Sequence, residues 1–155
     1  MNVGKHIAAR CTQGELTLAT AESCTGGGLS HALTAIPGAS AFFIGGVIAY
    51  QNEVKIQWLG VPRTTIQDHG AVSPQTARAM AEGCLHRFNT DIAVSITGIA
   101  GPGGGSVEKP LGTVHIAVAT QQETHSMAYH FSGDREAVRD SAISAALDLL
   151  REVLE

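Results

Sequence analysis

Short, continuous apolar runs alternate along the chain with stretches whose apolar positions recur every three to four residues, the spacing of one helical face. Asn2–Thr12 reads as a first helix, and Leu16–Glu22 (LTLATAE) as a buried strand closed by the turn-former Ser23. Thr25–Ala35 reads as a helix stopped by Pro37-Gly38, and Phe42–Tyr50 (FFIGGVIAY) as a second strand. Asn52 is a candidate N-cap for a short helix, Glu53–Leu59, that ends before Gly60 and Pro62. Ser73 followed by Pro74 is a cap and first-turn proline. The helix it opens carries Ala77, Met80, Ala81, Cys84, Leu85 and Phe88 on one face. Asp91–Thr97 is a third strand running into the glycine-rich loop Gly98–Ser106. Gly112–Thr120 and Glu123–Ser132 read as a hairpin around Gln121-Gln122. Arg135–Leu154, capped by Asp134, is an amphipathic helix with Val138, Ala142, Ala145, Ala146, Leu149 and Val153 on its stripe.

Helices and strands that alternate predict α/β layers. The closing hairpin makes the sheet mixed, so the expected fold is a three-layer α/β/α sandwich on a mixed, largely parallel sheet. On such sheets ligands bind beyond the carboxyl ends of the strands. Two motifs fall there: Ser23-Cys24-Thr25-Gly26-Gly27-Gly28 after the first strand, and Thr97-Gly98-Ile99-Ala100-Gly101-Pro102 after the third. A strand-to-helix turn of hydroxyl residues and glycines can present amides to a phosphate or an oxyanion, or it can simply cap a helix. No lysine follows its glycines as a phosphate-binding P-loop requires, and the prolines of the second motif argue that it stays a loop.

Composition narrows the classes. The 155 residues favour one domain. A net charge of −4 argues against sequence-independent nucleic-acid binding. Ser23–Asn52 contains no Asp, Glu, Lys or Arg, yet its glycines, Pro37 and hydroxyl residues read as a buried or pocket-lining segment and not as a membrane span. Cys11, Cys24 and Cys84 have no CxxC spacing, which fits a reducing cytosol without disulfides. The N-terminus has no apolar signal-peptide core, and no His, Cys, Asp or Glu spacing reads as a metal site.

A serine nucleophile needs a base. None of the seven histidines sits in a glycine motif, which disfavours a Ser-His-Asp triad. Lys55 is the better candidate, because a charge-poor apolar wall lowers a lysine's pKa toward neutrality; the alternative is a solvated helix lysine. Tyr50, at the end of the second strand, could orient the serine or belong to the core. Arg135 and Arg139 share a helix face, near an end where cations oppose the helix dipole. They either grip an anion or pair with Asp134, Glu136 or Asp140. Cys24 reads as a buried small residue beside Ser23.

Ala21-Glu22-Ser23-Cys24-Thr25-Gly26-Gly27, Gly46–Tyr50 with Asn52 and Lys55, Gly70–Ser73, Thr97–Pro102, Lys109–Val114 and Gly133-Asp134-Arg135 through Arg139 occur in this order. Together they resemble the CinA C-terminal domain family, the nicotinamide mononucleotide (NMN) deamidases. The resemblance implies hydrolysis of the NMN carboxamide to nicotinate mononucleotide and ammonia, in pyridine nucleotide recycling, without a cofactor or metal. It implies Ser23 as nucleophile, Lys55 as general base and Tyr50 nearby. Thr25, Gly26, Gly27, Thr97 and Gly98 would line the substrate site and Arg139 would help hold the substrate. It further implies a cytoplasmic homo-oligomer with no nucleic-acid or membrane partner. A non-catalytic pyridine-nucleotide-binding module, or an interaction module in competence, is the alternative. The chain departs from the family at Gln51, often Ser, and at Gly28, often a bulkier apolar residue. Many relatives carry a preceding pyrophosphatase-like domain; this chain is expected to lack that metal-dependent activity.

Overall fold

In the three central strands, large and small side chains alternate, and that alternation sets the layers. The computed structural model describes residues 2–155. Five strands, β1 (Leu18–Glu22), β2 (Phe43–Ile48), β3 (Ile92–Gly98), β4 (Thr113–Thr120) and β5 (Thr124–His130), form one sheet in the order β2-β1-β3-β4-β5. β1 lies parallel to both β2 and β3, while β3–β4 and β4–β5 are antiparallel. Only β4 therefore runs against the rest, and the mixed, largely parallel sheet is the predicted one.

One face of the sheet presents Leu18, Ile92, Val94, Ile96, Val114, Ile116 and Val118. It is covered by α1 (Val3–Gln13), α2 (Gly28–Thr34) and α6 (Arg135–Leu154). Each such branched side chain contributes roughly 1.5–3 kcal/mol on burial. The other face presents Ala19, Ala21, Ala93, Ala117 and Ala119, so α5 (Pro74–Phe88) packs close to the strands and Ser95 Oγ reaches the Ala77 carbonyl. Seated on α5 is α3 (Asn52–Leu59), at a crossing tight enough that a Cβ on Gly83 would lie 1.7 Å from the Leu59 oxygen. This contact fixes α3, and with it Lys55, against α5.

Several boundaries differ from expectation. The second helix begins at Gly28 and not at Thr25, because Gly26 (φ 59°) and Gly27 (φ 101°) make a left-handed turn first. The cap of α3 is Gln51, which makes no side-chain bond, and Asn52 is already helical. A further helix, α4 (Arg63–His69), and a 3-10 turn at Ala39–Ala41 were not predicted. Ser73 caps α5 through the Thr76 amide, and Asp134 caps α6 through the Ala137 amide, as read from the sequence.

Candidate active site

The parallel register aligns the carboxyl ends of three strands. Glu22 pairs with Ile48 on one side and with Ile96 on the other. Residues just beyond these pairs, Ser23, Tyr50, Thr97 and Gly98, surround a cleft of about 200 Å³ that Lys55 closes from α3. A larger cavity of about 790 Å³, beside Trp58 and Arg87, contains none of them.

Lys55 Nζ is 3.1 Å from Ser23 Oγ, 2.9 Å from the Ala49 carbonyl and 3.1 Å from the Tyr50 carbonyl. The residue is only 1% exposed. Burial pushes its ammonium pKa down to about 8, with no carboxylate among the causes. As an ammonium Lys55 donates to all three oxygens, and the Ser23 hydroxyl faces the Tyr50 carbonyl at 3.5 Å; once neutral, the amine has two N–H groups for the two carbonyls and a lone pair free to accept from Ser23. The candidate nucleophile and base, 32 residues apart, thus meet in a dry setting.

The turn that carries Ser23 is held from both sides. Ser23 N–H donates to the Ile96 carbonyl, and Gly26 N–H to the Ser23 carbonyl. Arg139 donates from Nε to the Cys24 carbonyl (3.0 Å) and from Nη2 to the Thr25 carbonyl (3.2 Å). Thr25 is fully buried, its hydroxyl 2.6 Å from Glu22 Oε1. Thr97 donates to the Ala71 carbonyl at 2.8 Å, tying β3 to the loop before α5. Gly98 leaves no room for a side chain, since a Cβ there would lie 2.7 Å from Val114 Cγ2.

Arg135 reaches the cleft itself. Its Nη1 donates to the Gly101 carbonyl (2.8 Å) and its Nη2 to Tyr50 Oη (3.0 Å). Tyr50 is 56% exposed. Arg135 also lines an adjoining cavity of about 630 Å³ with Thr25, His31 and Arg139. The two arginines that share a helix face therefore diverge, one to the nucleophile turn and one to the cleft mouth. Sequence reading missed two participants. The Ala49 carbonyl carries no sequence signal, whereas Glu22 could have been noticed as the acid bordering a charge-free stretch. Among the described residues no three His, Cys, Asp or Glu side chains are gathered as a metal site, and no helix is long and apolar enough to cross a membrane.

Fold and cleft define an α/β/α protein with a serine–lysine pair at the carboxyl ends of its parallel strands. The model of the CinA C-terminal domain matches residues 1–154, and the chain belongs to that family. It is 54% identical over 143 residues to a CinA-like protein of Gemmatimonas aurantiaca, covering 92% of this chain and 33% of that one. It is 49% identical over 139 residues to a CinA-like protein of Desulfotalea psychrophila, covering 90% and 34%. The chain thus spans about a third of the length of these curated relatives. Among solved structures, the competence/damage inducible protein CihA of Agrobacterium tumefaciens superposes with a TM-score of 0.96 at 40% identity, covering 99% of this chain and 94% of that one. A CinA superfamily protein of Klebsiella pneumoniae gives 0.93 at 36% identity, covering 99% and 98%.

Proposed function

We propose that this protein is an amidohydrolase that converts NMN to nicotinate mononucleotide and ammonia through a Ser23–Lys55 pair. The observation that carries the reading is the 3.1 Å approach of a buried, carboxylate-free lysine to a serine hydroxyl. Lys55 takes the Ser23 proton as Oγ bonds to the carboxamide carbon. The resulting oxyanion is met by turn amides; among the described residues those of Cys24 and Thr25 enter none of the turn's own hydrogen bonds. Lys55 returns the proton to the nitrogen, the C–N bond breaks and ammonia leaves. Water then attacks the ester as Lys55 accepts its proton, and Lys55 passes that proton to Oγ as the C–Oγ bond breaks, which releases the acid and restores the Ser23 hydroxyl and the neutral amine.

Tyr50, an exposed aromatic residue lining the cleft, would stack on the pyridine, and Thr97 and Gly98 would wall the same cleft. Arg135, shared by the cleft and the adjoining cavity, is the cation best set to meet the phosphate. Arg139 would support the substrate through the turn it holds. A cytoplasmic homo-oligomer in pyridine nucleotide recycling is part of the same proposal. Ammonia release from NMN, compared with nicotinamide and NAD in the presence of a chelator, tests it. Release from NMN alone is expected; no release from any of the three rejects the reading.

Replacing Arg135 by alanine should raise KM for NMN by about 10–100-fold, the worth of a charge-assisted phosphate contact, with kcat changed less than about threefold. An unchanged KM would assign the phosphate to another group.

A further inference from the structure

Glu22 is the one buried carboxylate of the site region, and the chemistry above makes no use of it. It is 1% exposed. Its Oε1 accepts from Thr25 Oγ1 at 2.6 Å and from the Leu29 amide at 2.8 Å. Its Oε2 accepts from the Ser30 amide at 3.0 Å and from Ser30 Oγ at 2.7 Å. All four partners are placed to donate to the two carboxyl oxygens. Because the Ser30 hydroxyl hydrogen goes to Glu22, the Thr20 hydroxyl, 2.8 Å away, donates to Ser30 in turn.

This arrangement changes what the start of α2 does. Its N-cap, Gly27, has no side chain with which to cap. Glu22, the last residue of β1, caps the helix instead, from the far side of the Ser23–Gly27 turn. The Leu29 and Ser30 amides of the first turn of α2 are thereby occupied by the protein's own carboxylate, and the Gly28 amide by the Thr25 carbonyl, so they are not offered to a substrate anion. The turn is closed at its base by Glu22, through residues 25, 29 and 30, and held from α6 by Arg139 on the Cys24 and Thr25 carbonyls.

The geometry points to Glu22 as a positioning residue that sets the reactivity of Ser23 by clamping the nucleophile turn between β1 and α2. The inference rests on Ser23 being the nucleophile, as read above. Ser23 sits on the turn, whereas Lys55 comes from α3, so their separation depends on how firmly that turn is anchored. A misplacement of about 1 Å at a reacting atom can cost roughly a hundredfold in rate. Glu22 touches no reacting group and acts only through the turn.

The test uses the whole chain with Glu22→Gln and Ser30→Ala, and with Asn2→Ala as a control that removes the cap of α1 far from the cleft. Glutamine keeps the volume but turns an NH2 group toward a donor. Ser23 reactivity is read as the rate of sulfonylation by phenylmethylsulfonyl fluoride, located by mass spectrometry, at a temperature where every variant is folded. Glu22→Gln should slow labelling and lower kcat for NMN at least about tenfold, with KM within about twofold. Ser30→Ala, which removes one of the four bonds, should slow both by a smaller factor of about three. Asn2→Ala should leave both at the wild-type value, since loss of stability alone does not move them. A folded Glu22→Gln that labels at the wild-type rate overturns the inference. If that variant does not fold, an unchanged rate in Ser30→Ala overturns it. Wild type that labels at Ser23 but releases no ammonia from NMN refutes the substrate and leaves the clamp standing. Wild type with neither property removes the nucleophile and the clamp with it.

Discussion

Ser23→Ala should lose NMN hydrolysis by about 10⁴-fold or more, the scale at which hydrolytic enzymes lose rate without their nucleophile. The substitution deletes one oxygen from a residue that is only 8% exposed. Lys55 keeps its bonds to the Ala49 and Tyr50 carbonyls, so stability should change by no more than about 1 kcal/mol. NMN should bind within about threefold of wild type, because the groups proposed to hold pyridine and phosphate are untouched. Cys24 cannot take over: burial pushes its thiol pKa up to about 11, leaving almost no thiolate near neutrality. Single-turnover ammonia release and a calorimetric NMN titration on the same preparation separate the two effects. Residual turnover above one-hundredth of wild type would mean that water, and not this hydroxyl, attacks the carboxamide.

The pattern of apolar positions carried most of the layers, and the reasons are local. Pro74–Phe88 was legible because a serine cap, a first-turn proline and a continuous apolar face agree over 15 residues. The central strands were legible because both faces are covered, which demands unbroken apolar runs. The helix Arg63–His69 was invisible: RTTIQDH holds a single apolar residue and buries none, so no face exists to detect. The start of α2 was misplaced for a different reason. Thr25 and the glycines read as a helical first turn, but the turn needs left-handed residues at 26 and 27 before the helix can begin.

The site divides in the same way. That Ser23, Tyr50 and Thr97 would sit at strand ends follows from the alternation of elements. That Lys55 would reach Ser23 does not, since it depends on α3 packing against α5 at Gly83, a long-range contact without a local signature. Arg135 and Arg139 share a helix face as their spacing requires. One helical turn, about 5.4 Å of rise, is nevertheless enough to deliver their guanidinium groups to different targets. Spacing gave the face, and tertiary packing decided the destination.

Lys55→Met should lower turnover at least about 10³-fold, since removal of a general base of this kind costs roughly 10²–10⁴ and the departing nitrogen loses its proton donor as well. Its second consequence is thermodynamic and independent of substrate. The folded protein holds the Lys55 ammonium at a pKa of about 8 through burial, against about 10.4 in an unfolded chain. Above pH 10.4 both states are neutral at this position and burial of the charge costs nothing. Between 10.4 and about 8 the unfolded state binds the proton first, so stability falls as pH falls. Below about 8 both states are protonated and the full cost, on the order of 3 kcal/mol for a group this buried, is in place. Methionine has nearly the same shape and no such window. Urea unfolding of wild type and Lys55→Met at pH 7 and pH 10.5 should therefore show wild type gaining about 3 kcal/mol relative to the variant at the higher pH. In parallel, wild-type kcat/KM should rise about tenfold per pH unit below 8 and level off above it. A stability difference that stays flat across that window, or a rate that falls as pH rises from 6.5 to 8, would mean that Lys55 is not the group whose neutral amine drives the reaction.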